Sequence, residues 1–480
     1  HWLGTMGLLA TLIGSALAPA LAQPLPAEFD AALQRARVPR DAVAVLVVDA
    51  AGRAPARLSH RASVPLNPAS VMKLVTSYAA LDTLGPAYSW TTPVYVEGAV
   101  RHGTLYGNLY IKGQGDPKLV VERLWLLLRR VQGLGVRSIA GDIVLDRSAF
   151  ETVEQDPAEF DGEPLRPYNA APDALLLNFK SVVMTFVPDL TANTAQVAFE
   201  PPLAGVQMQS SVPLSGGECN DYRSTLKADF SDSARIRFAG SYPASCGEKV
   251  WSVAYADPKR YALRAVEGMW REIGGELAGT VREGQVPAPG GVPSKPAFEL
   301  SSPTLGEVVR DINKYSNNVM AQQLFLTLGL PLRGEGQASA PGVATQAAAR
   351  EFLRRWWQAR FGGDDAPVLD NGSGLSRKER ISAGALARLL QAAYRSPQMP
   401  ELMASLPITG IDGTLRRARV KAAGSAHLKT GSLRDVTALA GYVHAQSGKR
   451  YVLVAIVNHP NANAARPAMD VLIDWTTKDN

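Results

Sequence analysis

The sequence contains few of the residues that several common enzyme chemistries require. It has two cysteines and six histidines in 480 residues. The spacings C-x-x-C and H-E-x-x-H are absent, so no familiar zinc or redox motif is present. The sequence G-x-S-x-G is absent too, which leaves a hydrolase of the Ser-His-Asp type without support. We therefore expect neither a metal nor a cofactor.

Dense runs of one charge are also missing. The net charge is +6 at pH 7, and the lysines and arginines form no continuous stripe. This pattern argues against nucleic-acid binding. Attraction to an anionic surface, at the periphery of a membrane or on a cell wall, is an alternative that stays open. The sequence leaves a homodimer open as well.

Long apolar runs are confined to the first 22 residues. Leu3–Leu17 is apolar, and a small-x-small sequence, Ala-Leu-Ala, ends at Ala22. Such a segment is typical of a secretory signal peptide, so we expect residues 1–22 to direct export to the periplasm and to be removed. The alternative is a membrane anchor, although Gly, Ser and Pro interrupt the run and it is short for a span.

The two cysteines, Cys219 and Cys246, are expected to form a disulfide in an exported protein. The bridge would close a loop of about 27 residues, which would stabilise the fold by roughly 3 kcal/mol. The alternative is a pair of buried free thiols.

The order of local patterns predicts one domain interrupted by an insertion. A chain of 480 residues is too long for one ordinary core. A strand at Ala42–Asp49 and a helix come first, a strand-rich block of about two hundred residues follows, and helices lead to a closing hairpin. The hairpin strands are predicted at Ala438–Ala445 and Tyr451–Val457. We expect both ends of the chain to join the same sheet.

An S-x-x-K sequence opens the first long helix after that strand. Ser70 and Lys73 are three residues apart, so on a helix the lysine amine can reach the serine hydroxyl. A serine is a weak nucleophile until a base takes its proton, and a lysine can be that base only if burial or a nearby cation lowers its pKa. A second S-x-x-K runs from Ser224 to Lys227 in an alternating stretch that predicts a strand. Residues i and i+3 of a strand point to opposite faces, so we expect only Ser70 to be activated.

Two further short sequences follow in order along the chain. Ser316–Asn318 is an S-x-N, placed after a predicted helix and a short break at 313–315. Lys429–Gly431 is a K-T-G that precedes the closing hairpin and predicts an edge strand. Taken singly, the first also fits a polar helix end and the second a turn. In this order, and each on the expected element, the three are the signature set of penicillin-interacting serine enzymes.

The chain resembles the class-C low-molecular-mass penicillin-binding proteins, the D-alanyl-D-alanine carboxypeptidase/endopeptidases. The sequences that carry the resemblance are NPASVMKLVT at Asn67–Thr76, NKYSNN at Asn313–Asn318, DNGSGLSR at Asp370–Arg377 and HLKTGSL at His427–Leu433. The long interval between Ser70 and Ser316 also matches this family, which has two inserted domains there. The resemblance covers nearly the whole chain after residue 22.

The resemblance implies an α+β fold, in which a serine β-lactamase/DD-peptidase-like domain is interrupted by two smaller strand-rich domains. The catalytic domain, an antiparallel sheet flanked by helices, would comprise residues 23–92 and 285–480; one insert 93–114 and 173–284; and the second insert 115–172. The implied activity is that of a periplasmic serine DD-peptidase, a carboxypeptidase and endopeptidase, acting through an acyl-serine intermediate. Its partners would be the stem peptides of peptidoglycan, with β-lactam antibiotics as covalent inhibitors.

The resemblance also implies a role for each motif residue. Ser70 would attack the carbonyl of the penultimate D-Ala, and Lys73 would take its proton. Ser316 would pass a proton to the leaving amine, and Asn318 would hold Lys73 or the substrate amide. Lys429 would attract the terminal carboxylate and help to lower the pKa of Lys73.

The remaining substrate contacts are expected along the K-T-G strand. Thr430 would hydrogen-bond the terminal carboxylate of the substrate, next to Gly431. The oxyanion hole would consist of the N–H groups of Ser70 and Ser432, aimed at charge that develops in the transition state.

A pocket for the side-chain end of the stem peptide's diamino acid needs a cation and an acid. Arg377 can bind a carboxylate bidentately. The acids Asp161 and Glu163 lie in the insert, with Tyr168 nearby as a wall. Glu163 and Tyr168 match best the acid and aromatic that the family uses, although Glu replaces the more usual Asp. The alternative is that these residues are solvated loop charges.

Two rival functions are less consistent with the sequence. A β-lactamase hydrolyses its acyl-enzyme fast, often with a Glu in an E-x-x-x-N loop, and no such loop lies between Asn318 and Lys429. A non-catalytic wall-binding protein would be expected to have lost Ser70 or Lys73, and both are present.

Overall fold

A computed structural model describes residues 24–291, 294–330, 342–363 and 365–479. The expected signal peptide, residues 1–22, lies outside the described residues. Within the described ranges, no helix has both the length and the apolar character that crossing a bilayer requires.

Helices and strands alternate irregularly along the chain. The helices are α1 (Ala27–Arg35), α2 (Lys73–Leu84), α3 (Val121–Gly133), α4 (Tyr222–Leu226), α5 (Pro258–Glu272), α6 (Leu305–Tyr315), α7 (Asn318–Leu328), α8 (Gln346–Phe361), α9 (Ala383–Tyr394), α10 (Met399–Ser405) and α11 (Arg466–Thr477). The strands are β1 (Val43–Asp49), β2 (Leu58–His60), β3 (Pro65–Leu66), β4 (Thr91–Val96), β5 (Ala99–Arg101), β6 (Thr104–Tyr106), β7 (Leu109–Lys112), β8 (Ser138–Ile139), β9 (Ile143–Asp146), β10 (Ser181–Asp189), β11 (Thr194–Glu200), β12 (Gln207–Met208), β13 (Ser211–Ser215), β14 (Ala228–Asp229), β15 (Arg235–Phe238), β16 (Tyr242–Pro243), β17 (Lys249–Ala254), β18 (Glu276–Leu277), β19 (Val281–Glu283), β20 (Phe298–Ser301), β21 (Ile381–Ser382), β22 (Ala426–Leu433), β23 (Val436–His444) and β24 (Arg450–Asn458).

The largest structural unit is built on an antiparallel sheet with the strand order β2-β1-β24-β23-β22. Strand β1 pairs with β24 along its whole length, from Val43 opposite Val457 to Asp49 opposite Tyr451. The two ends of the chain therefore join one sheet, as the order of patterns predicted. Strand β22 pairs with β23 and forms an edge of this sheet.

Both faces of this sheet are covered by helices. Along β1, Val43, Val45 and Val47 pack into one core with α1 and α11, and Ala44 and Leu46 pack into the other with α2 and α6 to α9. Successive side chains of a strand alternate between the two faces, so a strand buried on both sides is apolar throughout. The mixture of this antiparallel sheet with flanking helices confirms the predicted α+β class.

The strand-rich insert has a core of its own, which extends from Val94 to Leu300. Two sheets, β19-β9-β7-β4-β20 and β18-β8-β6-β5, combine strands from its beginning, middle and end. Strands β10, β11, β13, β16 and β17 form a separate sheet, and β12, β15 and β14 form a small one. Cys219 and Cys246 are joined by a disulfide in this part, with their Cα atoms 4.8 Å apart.

Strand pairing links two segments that were expected to belong to different inserted domains. Residues 115–172, expected to form a second small domain, supply β8 and β9, which pair in parallel with β6 and β7 of the segment 93–114. Parallel neighbours need a crossover connection, and α3 lies in the crossover from β7 to β9. Backbone hydrogen bonds between strands therefore join the segments 93–114 and 115–172. The limits of the inserted domains remain a prediction.

Candidate active site

Ser70 lies on a 3-10 turn, Ala69–Met72, that leads directly into α2. The Oδ1 atom of Asn67 accepts a hydrogen bond from the N–H of Ala69 at 2.8 Å. Ala69 has a φ of +48°, a conformation that costs a non-glycine residue roughly 1–2 kcal/mol. This bend leaves Ser70 partly accessible to solvent, whereas Lys73 is fully buried.

The amine of Lys73 contacts three oxygen atoms. Its Nζ atom lies 2.8 Å from Oγ of Ser70, 2.6 Å from Oδ1 of Asn318 and 2.5 Å from the carbonyl oxygen of Ser373. A neutral amine has two N–H donors and one lone pair. If the two carbonyl oxygens accept the N–H groups, the lone pair points at the hydroxyl of Ser70. This geometry suits proton transfer from the serine to the lysine.

The electrostatic surroundings favour a neutral Lys73. Burial is the main cause that lowers its pKa well below the usual value, and the positive charge of Lys429 lowers it further. An ionised carboxylate at Glu379 would act in the opposite direction. An amine with a lowered pKa can serve as a base near neutral pH.

The S-x-N residues lie at the junction of α6 and α7. The expected break at 313–315 is wrong, because these residues form the last turn of α6. The helix ends at Tyr315, and the next residue, Ser316, has a left-handed φ of +56°. Asn317 caps α7 by accepting from the N–H of Met320 at 3.0 Å. This sharp junction presents Ser316 and Asn318 to the same site.

Lys429 approaches the site from β22, the edge strand that the sequence predicted. It is fully buried, and its Nζ atom donates to Oγ of Ser316 at 2.9 Å and to the carbonyl of Thr430 at 2.7 Å. Burial lowers the pKa of Lys429 to about 7. The hydroxyl of Thr430 is 2.7 Å from that of Thr414, which lies on the 3-10 turn Gly413–Leu415.

Gly431 allows β22 to pass close to the nucleophile turn. A Cβ atom at this position would lie 2.4 Å from the carbonyl oxygen of Pro68 and 3.1 Å from the nitrogen of Ser70. Any side chain would therefore push the strand away. The close approach brings the next residue, Ser432, to the same cavity as Ser70.

The second S-x-x-K, from Ser224 to Lys227, is on a short helix and not on the expected strand. Helix α4 ends at Leu226, and Lys227 follows it in the left-handed conformation with φ +47°. Asp221 caps this helix by accepting from the N–H of Ser224, a local hydrogen bond that overrides the alternating pattern. Ser224 and Lys227 are both exposed, so this pair lacks the burial of the Ser70–Lys73 pair.

A cavity of about 1200 Å³ opens beside Ser70. Residues of the insert form much of its wall, alongside the motif residues. Its lining includes Ser70, Phe160, Asp161, Tyr168, Asn178, Phe179, Ser181, Val183, Ser252, Tyr315, Ser316, Asn318, Arg377 and Ser432.

The residues proposed for the diamino-acid pocket are only partly brought together. Arg377 and Tyr168 line the cavity, and so does Asp161. Glu163 is not among the described residues that line it; its carboxylate lies 3.5 Å from the guanidinium of Arg166 and is exposed. Because the chain turns between these two acids, the one that shares the cavity with Tyr168 is Asp161.

Asp161 is held by its neighbours in the insert. Its carboxylate accepts from the hydroxyl of Tyr168 at 2.8 Å and from the amide of Asn169 at 2.8 Å. Desolvation raises the pKa of Asp161, but these hydrogen bonds, the N–H of Glu163 and the charge of Arg166 together lower it below the usual value. Burial and the bond to Asp161 raise the pKa of Tyr168 to about 12, so its hydroxyl stays a donor.

Arg377 lies between two other side chains. It donates to Asp435 at 2.8 Å, and its guanidinium carbon lies 4.9 Å from the centre of the Phe160 ring. The side chain is about half exposed, so its remaining N–H groups are available to a ligand.

Several features of the cavity were not found from sequence. Asn178, Phe179 and Lys180 all have left-handed φ values, of 40°, 55° and 52°, inside the block that the sequence predicted to be rich in strands. The ion pair of Lys180 with buried Asp173, at 2.9 Å, anchors this segment. The carbonyl of Ser373 could not be recognised either, because a backbone acceptor leaves no side-chain pattern.

Within the ranges that the structure describes, no three His, Cys, Asp or Glu side chains are grouped so as to hold a metal ion. The groups available at the site are the serine hydroxyls, the two buried lysines and the amide of Asn318.

Comparison with known proteins gives consistent matches over most of the chain. The model of the D-Ala-D-Ala carboxypeptidase 3 (S13) family matches residues 25–479. A D-alanyl-D-alanine carboxypeptidase of Actinomadura sp. strain R39 is 29% identical over 481 residues, covering 95% of this chain and 85% of the relative. The D-alanyl-D-alanine carboxypeptidase DacB of Haemophilus influenzae is 26% identical over 396 residues, covering 81% of this chain and 80% of the relative.

The fold is also similar to that of a solved structure. The crystal structure of penicillin binding protein 4 (dacB) from Haemophilus influenzae aligns with a TM-score of 0.71 and 21% identity, over 94% of this chain and 99% of that one. A second crystal structure of that protein, complexed with a β-lactam, aligns with a TM-score of 0.66 and 20% identity, over the same shares of the two chains.

Proposed function

The chain belongs to the D-Ala-D-Ala carboxypeptidase 3 (S13) family, and on that premise we propose that it cleaves D-alanyl-D-alanine stem peptides of peptidoglycan through an acyl-serine intermediate. The observation that carries the mechanism is the arrangement at Lys73. Its amine lies 2.8 Å from the hydroxyl of Ser70, while two carbonyl oxygens accept its N–H groups. Such an amine is oriented to take the proton of Ser70 as its oxygen attacks.

Acylation begins at the carbonyl carbon of the penultimate D-Ala. The Oγ atom of Ser70 forms a bond to this carbon, and its proton passes to Lys73. The oxygen of the tetrahedral intermediate carries the negative charge, which the N–H groups of Ser70 and Ser432 are proposed to stabilise. The close approach of β22 to the nucleophile turn at Gly431 supports this pair of donors.

The leaving group is the amine of the terminal D-Ala. When its C–N bond breaks, the amine needs a proton, which Ser316 is placed to pass on because its hydroxyl accepts from Lys429. Lys429 and Thr430 would bind the terminal carboxylate of the substrate. Water then attacks the ester carbon, the C–O bond to Ser70 breaks, one proton of the water passes to Oγ, and the shortened peptide leaves as a carboxylic acid. Lys73 gives up the proton that it took from Ser70, and Lys429 regains one, which completes hydrolysis.

We propose an endopeptidase activity beside the carboxypeptidase activity. Small-ligand pockets measure about 300–1,000 Å³, and a D-Ala-D-Ala terminus needs little of that. The cavity of about 1200 Å³, with walls from the insert, leaves room for a cross-linked peptide. Its residues Asp161, Tyr168 and Arg377 are proposed to bind the side-chain end of the diamino acid, with Asp161 in the place that the sequence assigned to Glu163.

The proposed compartment is the periplasm. The disulfide of Cys219 with Cys246 supports it, because such bonds persist in oxidising compartments. The apolar segment before residue 23 resembles a signal peptide, and this resemblance supports export.

A fluorescent penicillin tests the proposal directly. We expect it to label the wild-type protein covalently and purified muropeptides to lose their terminal D-Ala. A protein that is neither labelled nor active on muropeptides would contradict the proposed function.

A further inference from the structure

Glu379 lies fully buried beneath the loop 370–376. No role was predicted for this residue from the sequence. Its Oε1 atom accepts three hydrogen bonds from consecutive backbone N–H groups. The donors are Asp370 at 3.1 Å, Asn371 at 3.1 Å and Gly372 at 2.8 Å. One carboxyl oxygen therefore holds the first turn of this loop.

The loop connects Glu379 to the base. The carbonyl oxygens of two consecutive loop residues, Gly372 and Ser373, point at α2. The first accepts from Oγ1 of Thr76 at 2.7 Å, and the second accepts from Nζ of Lys73 at 2.5 Å. A displacement of the loop would therefore remove one of the two acceptors that orient the Lys73 amine.

The loop has little freedom to move without losing this contact. Gly374 packs so closely against the nucleophile turn that a Cβ atom there would lie 2.0 Å from the carbonyl oxygen of Ala69. The side chain of Asn67 donates to the carbonyl of Ser376 at 2.9 Å. The nucleophile turn on one side and Glu379 on the other thus fix the position of the Ser373 carbonyl.

The surroundings of the second carboxyl oxygen, Oε2, indicate whether Glu379 is ionised or neutral. Among the described residues, buried Oε2 has no hydrogen-bond partner. An ionised oxygen without a partner costs far more free energy in a protein interior than a protonated one. Burial raises the pKa of Glu379, and the three backbone N–H groups do not reverse the shift.

Few charged groups face this carboxyl. Asp370 of the same loop also raises the pKa of Glu379. On α2, the pKa of Lys73 would be raised by the charge of an ionised Glu379. Arg350 of α8 is directed at Asp370, with a guanidinium nitrogen 3.7 Å from the carboxylate of that residue. A neutral Glu379 would leave Lys73 without a counterion and so keep its amine available as a base.

We propose that Glu379 is a positioning residue for Lys73: through Oε1 it holds the loop that presents the Ser373 carbonyl, and as a neutral acid it leaves the amine unpaired. This inference rests on the proposed function, because it requires Lys73 to be the base.

Two variants test it, Glu379→Gln and Glu379→Leu. Stopped-flow measurements with a chromogenic β-lactam separate the dissociation constant of the non-covalent complex from the acylation rate constant. Glu379→Leu removes the acceptor, so the rate constant should fall on the order of 10- to 100-fold while the dissociation constant stays unchanged. Glu379→Gln keeps a carbonyl oxygen for the three N–H groups and resembles a neutral acid. It should retain the acylation rate constant and the pH at which acylation is lost on the acid side.

Three results would overturn the proposal. The first is a wild-type acylation rate constant in Glu379→Leu. The second is an equal loss in binding and acylation, which would indicate a general structural role. The third is a shift of the acid limb of Glu379→Gln to lower pH by about one unit or more, which would identify Glu379 as an ionised counterion of Lys73.

Two further measurements keep the test decisive. If Glu379→Leu does not fold, Thr76→Val replaces it, because that change releases the same loop at the Gly372 carbonyl and should also lower the acylation rate constant. The proposed function is checked separately with Lys73→Met. Wild-type acylation by that variant would contradict the function itself, whereas a failure confined to the Glu379 variants would contradict only this inference.

Discussion

The Nζ atom of Lys429 lies 2.9 Å from Oγ of Ser316, and this contact joins the edge strand β22 to the junction between α6 and α7. The lysine is fully buried and has no carboxylate partner within the described residues. Burial lowers its pKa to about 7, so its charge changes near neutral pH. Both proposed roles of Lys429, the binding of a carboxylate and the supply of a proton through Ser316, depend on that charge.

The value of kcat/KM for D-Ala-D-Ala peptides should therefore fall as the pH rises through about 7. The reason is that kcat/KM reports the free enzyme, in which Lys429 then loses the proton that makes it a cation. A pH profile of peptide hydrolysis measures this. Lys429→Arg keeps its charge throughout and should lack this alkaline decline, even if its rate is lower. The same decline in Lys429→Arg would assign it to another group.

Penicillin should acylate Ser70, because only this serine of an S-x-x-K pair has a buried lysine against its hydroxyl. Intact-mass spectra should show one adduct on the wild type and none on Ser70→Ala. Ser224→Ala is the matched control and should keep the adduct. An adduct that persists on Ser70→Ala would refute the assignment of the nucleophile.

Lys73→Met should lose acylation by a factor on the order of 10²–10⁴, as expected for removal of a general base. Methionine is similar in length and apolar, so the buried space remains filled and circular dichroism should change little. The measurement is the rate of labelling by a fluorescent penicillin. Rapid labelling of this folded variant would identify a different base, with Lys429 the first residue to examine.

Asp161→Asn and Arg377→Ala should slow the cleavage of peptides that carry a diamino acid by roughly tenfold or more, because each removes a charge-assisted hydrogen bond worth about 1.5–3 kcal/mol. Penicillin lacks that side chain, so its acylation rate should change much less. Glu163→Gln is the control, since Glu163 faces Arg166 and does not line the cavity within the described residues. Equal losses on both substrates would mean that Asp161 and Arg377 are structural.

The disulfide of Cys219 with Cys246 should stabilise the insert. Replacing both cysteines by serine should lower the free energy of unfolding by roughly 3 kcal/mol, because the bridge closes a loop of 27 residues. Urea denaturation measures this change, and penicillin labelling of the folded variant should be unaffected because neither cysteine lines the cavity. Peptide mapping that finds both thiols free in exported protein would exclude the bridge and weaken the periplasmic assignment.

Local patterns in the sequence were sufficient for part of this description. The spacing of Ser70 and Lys73 predicted their contact, because residues three apart share a face of a helix. The apolar strands at the two ends of the chain predicted the pairing of β1 with β24. Local patterns failed at two places. The Asp221 cap made a helix of the stretch before Lys227, which the pattern predicted to be a strand. Residues 178–180, inside the strand-rich block, adopt left-handed conformations beside the ion pair of Lys180 with Asp173.

The sequence by itself determined the α+β class, through its resemblance to a known family, and the contact of Ser70 with Lys73, because residues three apart share a face of a helix. Only the tertiary structure decided which groups complete the site. The Ser373 carbonyl lies 300 positions from Lys73, and Thr414 lies 16 positions from Thr430. The choice of Asp161 over Glu163 depends on how an irregular segment turns toward a cavity that distant elements build. Such contacts follow from the packing of whole elements, which no local spacing records.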